Sequence, residues 1–332
     1  MKADLMKRMF KAIFSEDIVS LKKIAQTVIS DERANGYTKL AASLENIAAT
    51  EKPRFTVFGD NRTNYNTNGS GVTTLPTSKR SNSPLVAFVP REQLKHHMVL
   101  PRDVEERLCS IEKEYAAKER LSKYNLMPKK KILLHGASGC GKTLSAERIA
   151  WNLGLPLLKV RFDALLSSYF GESASNLRAV FDYCKREPVV LLLDECDFIA
   201  KSRIQPQDVG EVPRIVNMLL TLLDEYDAPG LAIATTNLRV SLDEALFRRF
   251  DDVIEIPMPD VKAREQLLSM TLSAIPVSSD LSIAQLAGKL DGYSSANIVL
   301  TAQRAAKYSV LGGNKKVEQI HFDRAITESS KF

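Results

Sequence analysis

The chain predicts an α/β fold, a parallel sheet with helices on both faces, on three observations. From residue 131 onward, short apolar runs alternate with helical patterns; one run opens into a glycine-rich turn; another closes on two adjacent carboxylates. The runs cover residues 132–135, 157–162, 189–193, 231–235 and 253–256, each too short for a buried helix. Their Val, Ile and Leu content is that of strands covered on both faces.

The first run feeds Gly136-Ala137-Ser138-Gly139-Cys140-Gly141-Lys142-Thr143, and a helical pattern runs from Thr143 to Leu153 with Leu144, Ile149, Ala150 and Leu153 apolar. The spacing G-x-x-x-x-G-K-T between a strand and a helix is that of a phosphate-binding loop. Glycine admits backbone conformations that turn successive N–H groups inward on an anion, and the positive end of the following helix adds to them. Lys142 supplies a mobile charge for the outer phosphates of ATP, and the Thr143 hydroxyl can ligate Mg²⁺. Cys140, inside the loop, is a small residue suited to a tight turn or a site of oxidant sensitivity.

The run at 189–193 closes on Asp194 and Glu195. Paired with a phosphate loop, Asp194 suits the magnesium shell, and Glu195 suits a base or orienting group for the attacking water. The run at 231–235 leads to Asn237, which can donate and accept and so bridge water and γ-phosphate; Asn at a strand end is also ordinary turn chemistry.

The chain has 332 residues, 44% of them hydrophobic, enough for two or three domains with sizeable cores. No run approaches the length that spans a bilayer, and the Lys-rich N-terminal stretch has no signal-peptide apolar block, so a cytoplasmic location without a membrane is expected. The four cysteines, Cys109, Cys140, Cys184 and Cys196, form no C-x-x-C pair, as in a reducing compartment. Of the net charge of +6, residues 98–332 contribute nothing, with 31 Lys/Arg against 31 Asp/Glu. The excess lies upstream, 8 against 6 in residues 1–50 and 7 against 3 in residues 51–97, which gives nucleic-acid binding weak support.

Residues 1–50 show three short amphipathic helical patterns, carrying Leu5, Met9 and Phe10, then Ile18, Leu21 and Ile24, then Leu40, Leu44 and Ile47. They form either a packing accessory or a docking module for a partner. Residues 51–84, rich in Asn, Thr, Ser, Gly and Pro, read as a flexible linker. The α/β domain then spans residues 85–260, opening with a strand at 85–89 and one long amphipathic helix at 101–124. Residues 261–332 read as a small helical lid with three helices, the third beginning near Ser295-Ala296.

These landmarks, in this order, resemble the AAA+ ATPases, P-loop NTPases, and more narrowly the AAA clade of protein remodellers such as katanin, spastin and the proteasomal ATPases. The resemblance covers about residues 98–332 and extends to Leu242-Asp243-Glu244-Ala245-Leu246-Phe247-Arg248-Arg249-Phe250-Asp251, similar to the second region of homology. It implies that Arg248 and Arg249 are arginine fingers reaching a neighbouring subunit's site, and hence a homo-oligomer, a hexameric ring by family expectation. It also implies that Tyr169-Phe170-Gly171 forms a pore loop gripping an extended polypeptide; the same aromatics also suit a core. Ser295 and Ala296 stand where the family has the Gly-Ala pair lining adenine and ribose. Ala137-Ser138 replaces the usual Pro-Pro, Cys140 the usual Thr, and the lid shows no sensor arginine.

The implied function is a ring motor that unfolds, threads or disassembles a protein recruited through the N-terminal helices. A nucleic-acid-directed ATPase is the alternative, against which only 72 residues (332 − 260) follow Asp260, enough for a lid but not for an added DNA-reading domain. A regulatory ring serving a separate effector such as a peptidase is the third. The chain has no H-E-x-x-H, no G-x-S-x-G and no hydrophobic-Tyr-x tail.

Overall fold

The computed structural model describes residue 27 and residues 75–78, 82–166, 172–197, 211–237, 247–313 and 316–329. The chain divides into two units, Met1–Val72 and Thr73–Phe332, and every element below belongs to the second. The expected helices of residues 1–50, most of the linker, the segment 169–171 and residues 242–246 lie outside the described residues.

In order, the described elements are β1 (Val86–Val89), α1 (Arg102–Ala116), α2 (Lys118–Ser122), β2 (Lys131–His135), α3 (Lys142–Leu153), β3 (Leu157–Val160), α4 (Phe162–Leu166), α5 (Ser173–Arg186), β4 (Val190–Leu193), α6 (Glu211–Asp224), β5 (Leu231–Thr236), β6 (Asp252–Glu255), α7 (Val261–Thr271), α8 (Ile283–Lys289), α9 (Ser295–Leu311) and α10 (Gln319–Ser329). The strands form one sheet in the order β1-β3-β4-β5-β2-β6. All pairs are parallel except β1 with β3, which is antiparallel. The sheet is therefore mostly parallel, with a reversed edge strand that alternation of runs and helices could not reveal.

Strand periodicity sorts the core into two layers. Ile132, Leu134, Leu157, Val190, Leu192, Leu231 and Ile233 face α1 and α3, meeting Leu108, Ile111, Ala146 and Ile149. Their neighbours Leu133, Leu158, Leu191, Leu193, Ala232 and Ala234 face α5 and α6, meeting Leu177, Phe181, Leu219 and Leu223. The helices after residue 260 have their own core, around Leu268, Leu286, Ile298, Ala302 and Phe322.

Two expectations are corrected. The single helix over 101–124 is broken at Ala117: α1 buries Val104, Leu108 and Ile111, whereas α2 buries nothing, so no apolar stripe holds the last turns in line. The C-terminal helices include a further one, α10, which anchors Phe322 and Ala325 in the core and packs on α9.

β2 lies between β5 and β6 although β3 follows it in sequence, so the strand order reverses beside it. The loops leaving β2, β4 and β5 converge at their carboxyl ends, where open α/β sheets bind ligands.

Candidate functional site

The turn after β2 is built from backbone freedom. Gly136, Gly139 and Gly141 have φ of 144°, 77° and 103°. A Cβ on Gly136 would stand 2.2 Å from the Ile256 carbonyl oxygen, and one on Gly139 would stand 2.6 Å from Ser294 Oγ. Neither position can carry a side chain without displacing what lies against it.

Lys142 folds back over this turn. Its Nζ donates to the carbonyl oxygens of Gly136 and Ala137, both at 2.9 Å, and to Oδ1 of Asn237 at 2.7 Å. It is buried, and burial lowers its pKa against the opposing pull of Cys140, Asp197, Asp194 and Glu195. All three acceptors are formally neutral, so an arriving phosphate offers the ammonium a stronger, charged partner.

The acids after β4 meet the loop through Thr143, whose hydroxyl donates to Asp194 Oδ1 at 2.9 Å. Thr235 donates to the same oxygen at 2.6 Å, and Lys159 donates to Oδ2 at 2.6 Å. Burial pushes the Asp194 carboxyl up, but the hydrogen bonds from Lys159, Thr235 and Thr143 outweigh it and hold the pKa below its ordinary value. Lys159 and Thr235 were not singled out from sequence, although strand alternation carries the signal. Each sits two residues beyond a strand position facing α3, namely Leu157 and Ile233, as Asp194 does beyond Leu192. Three neighbouring strands thus end on one face with Lys, Asp and Thr in a row.

Glu195 is exposed at the cavity with φ of 56°, in the left-handed region, and its N–H donates to Thr235 Oγ1 at 2.9 Å. Asp197, also missed from sequence, accepts from Thr236 Oγ1 at 2.7 Å and from the N–H and Nδ2 of Asn237, both at 2.9 Å. An ammonium on one side and a carboxylate on the other fix which way the Asn237 amide points. Burial pushes Asp197 up, and its bonds to Thr236 and Asn237 more than offset that.

A cavity of about 840 Å³ connects these parts, lined by Ser138, Gly139, Cys140, Gly141, Lys142, Thr143, Leu144, Asp194, Glu195, Thr235 and Asn237. Its other wall comes from His97, Met98 and Val99 and from α7 and α9, including Met270, Ser295, Ala296, Val299 and Leu300. The Ala296 N–H donates to the Gly139 carbonyl at 3.0 Å, so the start of α9 rests directly on the phosphate loop. His97 is in ring contact with His96, which stacks on Trp151 at 3.9 Å between centroids and 8° between planes. Cys140 is buried with Sγ 3.3 Å from Met258 Sδ, and burial raises its pKa, so the thiol form is favoured. All four cysteines are free.

Among the described residues, no group of three or more His, Cys, Asp or Glu could hold a metal ion. The Thr143–Asp194 pair is a set of hard oxygens that suits Mg²⁺ held jointly with substrate phosphates rather than in a protein cage. The glycine cradle, the lysine and a cavity of this size fit a nucleoside triphosphate. Arg248 and Arg249 are not among the residues lining this cavity; Arg249 Nε donates to Asp224 Oδ2 at 3.0 Å. Among the described residues, no helix is long and apolar enough to cross a membrane.

Comparison with known proteins agrees with this geometry. Residues 132–258 match the family described as ATPase family associated with various cellular activities (AAA). Over 247 residues, the chain is 36% identical to "Uncharacterized AAA family ATPase y4kL" of Sinorhizobium fredii, covering 74% of each protein. The chain belongs to the AAA family of ATPases. Membership makes it an ATP-binding and ATP-hydrolysing protein, and the matched segment runs from β2 to just past β6, carrying the phosphate loop, both acids and Asn237.

Proposed function

We propose that the chain is a Mg²⁺-dependent ATPase in which each site residue has a distinct task. The backbone of Gly136, Ala137, Ser138, Gly139, Cys140 and Gly141 cradles the phosphates, and Lys142 leaves its carbonyl partners for the outer ones. Thr143 and Asp194 hold Mg²⁺, which when bound would neutralise charge on the phosphates. Glu195 orients and deprotonates the attacking water, and Asn237 aligns it with the γ-phosphate. Leu144, Ser295 and Ala296 line the base and sugar end. The observation that carries this reading is the Thr143–Asp194 hydrogen bond, which joins the phosphate loop to the acid pair across one cavity.

AAA ATPases commonly oligomerise, and that Arg248 and Arg249 do not line the cavity of their own chain is compatible with arginine fingers acting on a neighbour, in a ring expected to be hexameric. We read the ring as a remodeller of protein substrates, gripping them through Tyr169, Phe170 and Gly171 and recruiting them through residues 1–50.

The direct test is Glu195→Gln. Nucleotide binding should persist while turnover falls about a hundredfold or more. Unchanged hydrolysis would remove Glu195 from its role. For the remodelling reading, Tyr169→Ala should abolish stimulation of the ATPase by a protein substrate; full stimulation would count against threading.

A further inference from the structure

The end of β5 reaches both acids through one side chain. Thr235 is 1% exposed, and its hydroxyl carries two hydrogen bonds of opposite sense. It donates its proton to Asp194 Oδ1 at 2.6 Å and accepts from the Glu195 N–H at 2.9 Å. A hydroxyl has one proton to give, so the demand of Asp194 leaves a lone pair turned toward the Glu195 amide. The Thr235 carbonyl also accepts from the Cys196 N–H at 2.8 Å, so residue 235 holds two consecutive amides of the β4 exit.

That exit is strained at one point. Glu195 has φ of 56°, a conformation that is unfavourable for a non-glycine residue and persists only where the surroundings over-determine it. In the left-handed conformation, the chain turns directly after Asp194, and the Glu195 side chain enters the cavity. Groups on Thr235 hold this turn at Asp194, at the Glu195 amide and at the Cys196 amide, beside the Cys196 thiol that donates to the Leu193 carbonyl at 3.3 Å. Asp194 has two further donors, Thr143 and Lys159, whereas among the described residues the Glu195 N–H has Thr235 Oγ1 as its acceptor. Loss of this hydroxyl is therefore felt mainly at Glu195.

We propose that Thr235 is a positioning residue for hydrolysis, fixing the backbone of Glu195 so that its carboxylate meets the attacking water. The inference rests on the assignment of Glu195 as the base. Valine has the shape of threonine but neither donates nor accepts, whereas serine keeps the hydroxyl.

The experiment measures steady-state ATP hydrolysis and the affinity for a fluorescent ATP analogue with Mg²⁺, using the full chain. T235V should lower kcat by about ten- to a hundredfold, the cost of a displaced catalytic group, with nucleotide affinity within about threefold of wild type. T235S should recover kcat to within about threefold of wild type. Because Thr235 acts through Glu195, T235V added to E195Q should slow the residual rate by less than about twofold. T235A, read against T235S, makes the same comparison if the valine protein does not fold. Full turnover in T235V, failure of serine to restore the rate, or full additivity with E195Q would each overturn the proposal. A slow E195Q beside a fast T235V would overturn it alone; a fast E195Q would overturn the catalytic reading along with it.

Discussion

The two walls of the cavity are built on different principles. On the sheet side, the phosphate loop takes its shape from three glycines at positive φ and from carbonyls pressed against them, so its form is dictated by backbone sterics. On the helical side, α7 and α9 stand on a separate core and present side chains such as Met270 and Leu300, exposed at 46% and 43%, and they approach the loop through the Ala296–Gly139 bond and Ser294. Backbone-made form tolerates almost no substitution, whereas form made by side chains yields gradually.

The largest effect should therefore come from Gly136→Ala. The added methyl meets a backbone carbonyl at 2.2 Å, and the protein should lose about 3 kcal/mol or more of stability along with all nucleotide binding, read by denaturant unfolding and fluorescence titration. If the variant binds normally, the wall is not set by sterics. Gly139→Ala probes the seam, because its new methyl meets the end of a side chain, Ser294 Oγ at 2.6 Å, while φ of 77° adds strain. A loss of about 1–3 kcal/mol is expected, partly relieved by Ser294→Ala, which removes that oxygen. Equal losses with and without Ser294→Ala would deny the contact.

Smaller effects belong to the helical wall. Asp260 and Ser294 cap α7 and α9, accepting from the N–H groups of Ala263 and Asn297. Replacing either with alanine should cost about 1 kcal/mol and increase hydrogen exchange in residues 261–329 while leaving β2 to β5 protected. Uniform acceleration would mean that the two cores open as one.

The smallest effect lies at the outer strand. Asp252 of β6 accepts from Lys129 at 2.8 Å and from Arg107. Burial pushes its carboxyl up, but those two bonds hold it below the ordinary value. A depressed native pKa contributes stability that is complete above the unfolded value of about 4 and disappears as pH falls through the native one. Asp252→Asn should thus cost about 1 kcal/mol or less at pH 7, and the gap to wild type should close as the pH falls below about 4. A gap that widens on acidification would refute the assignment.

What the sequence disclosed follows from how local each determinant is. The loop was legible because eight consecutive residues fix it, and Asp194, Glu195 and Asn237 because each lies within two residues of the end of an apolar run. Lys159, Thr235 and Asp197 were not, since their importance arises from β3, β4 and β5 lying side by side, an order that the chain does not spell out. The reversed pairing of β1 with β3 was hidden for the same reason. The break at Ala117 was readable in retrospect, because apolar spacing fades where charged residues take over.

The indole of Trp151, the only tryptophan in the sequence, lies parallel to His96, whose neighbour His97 borders the cavity. The molecule thereby carries its own optical gauge. A nucleotide entering beside His97 is expected to shift the emission of this one indole, read by titrating the protein with ATP and without attaching a dye.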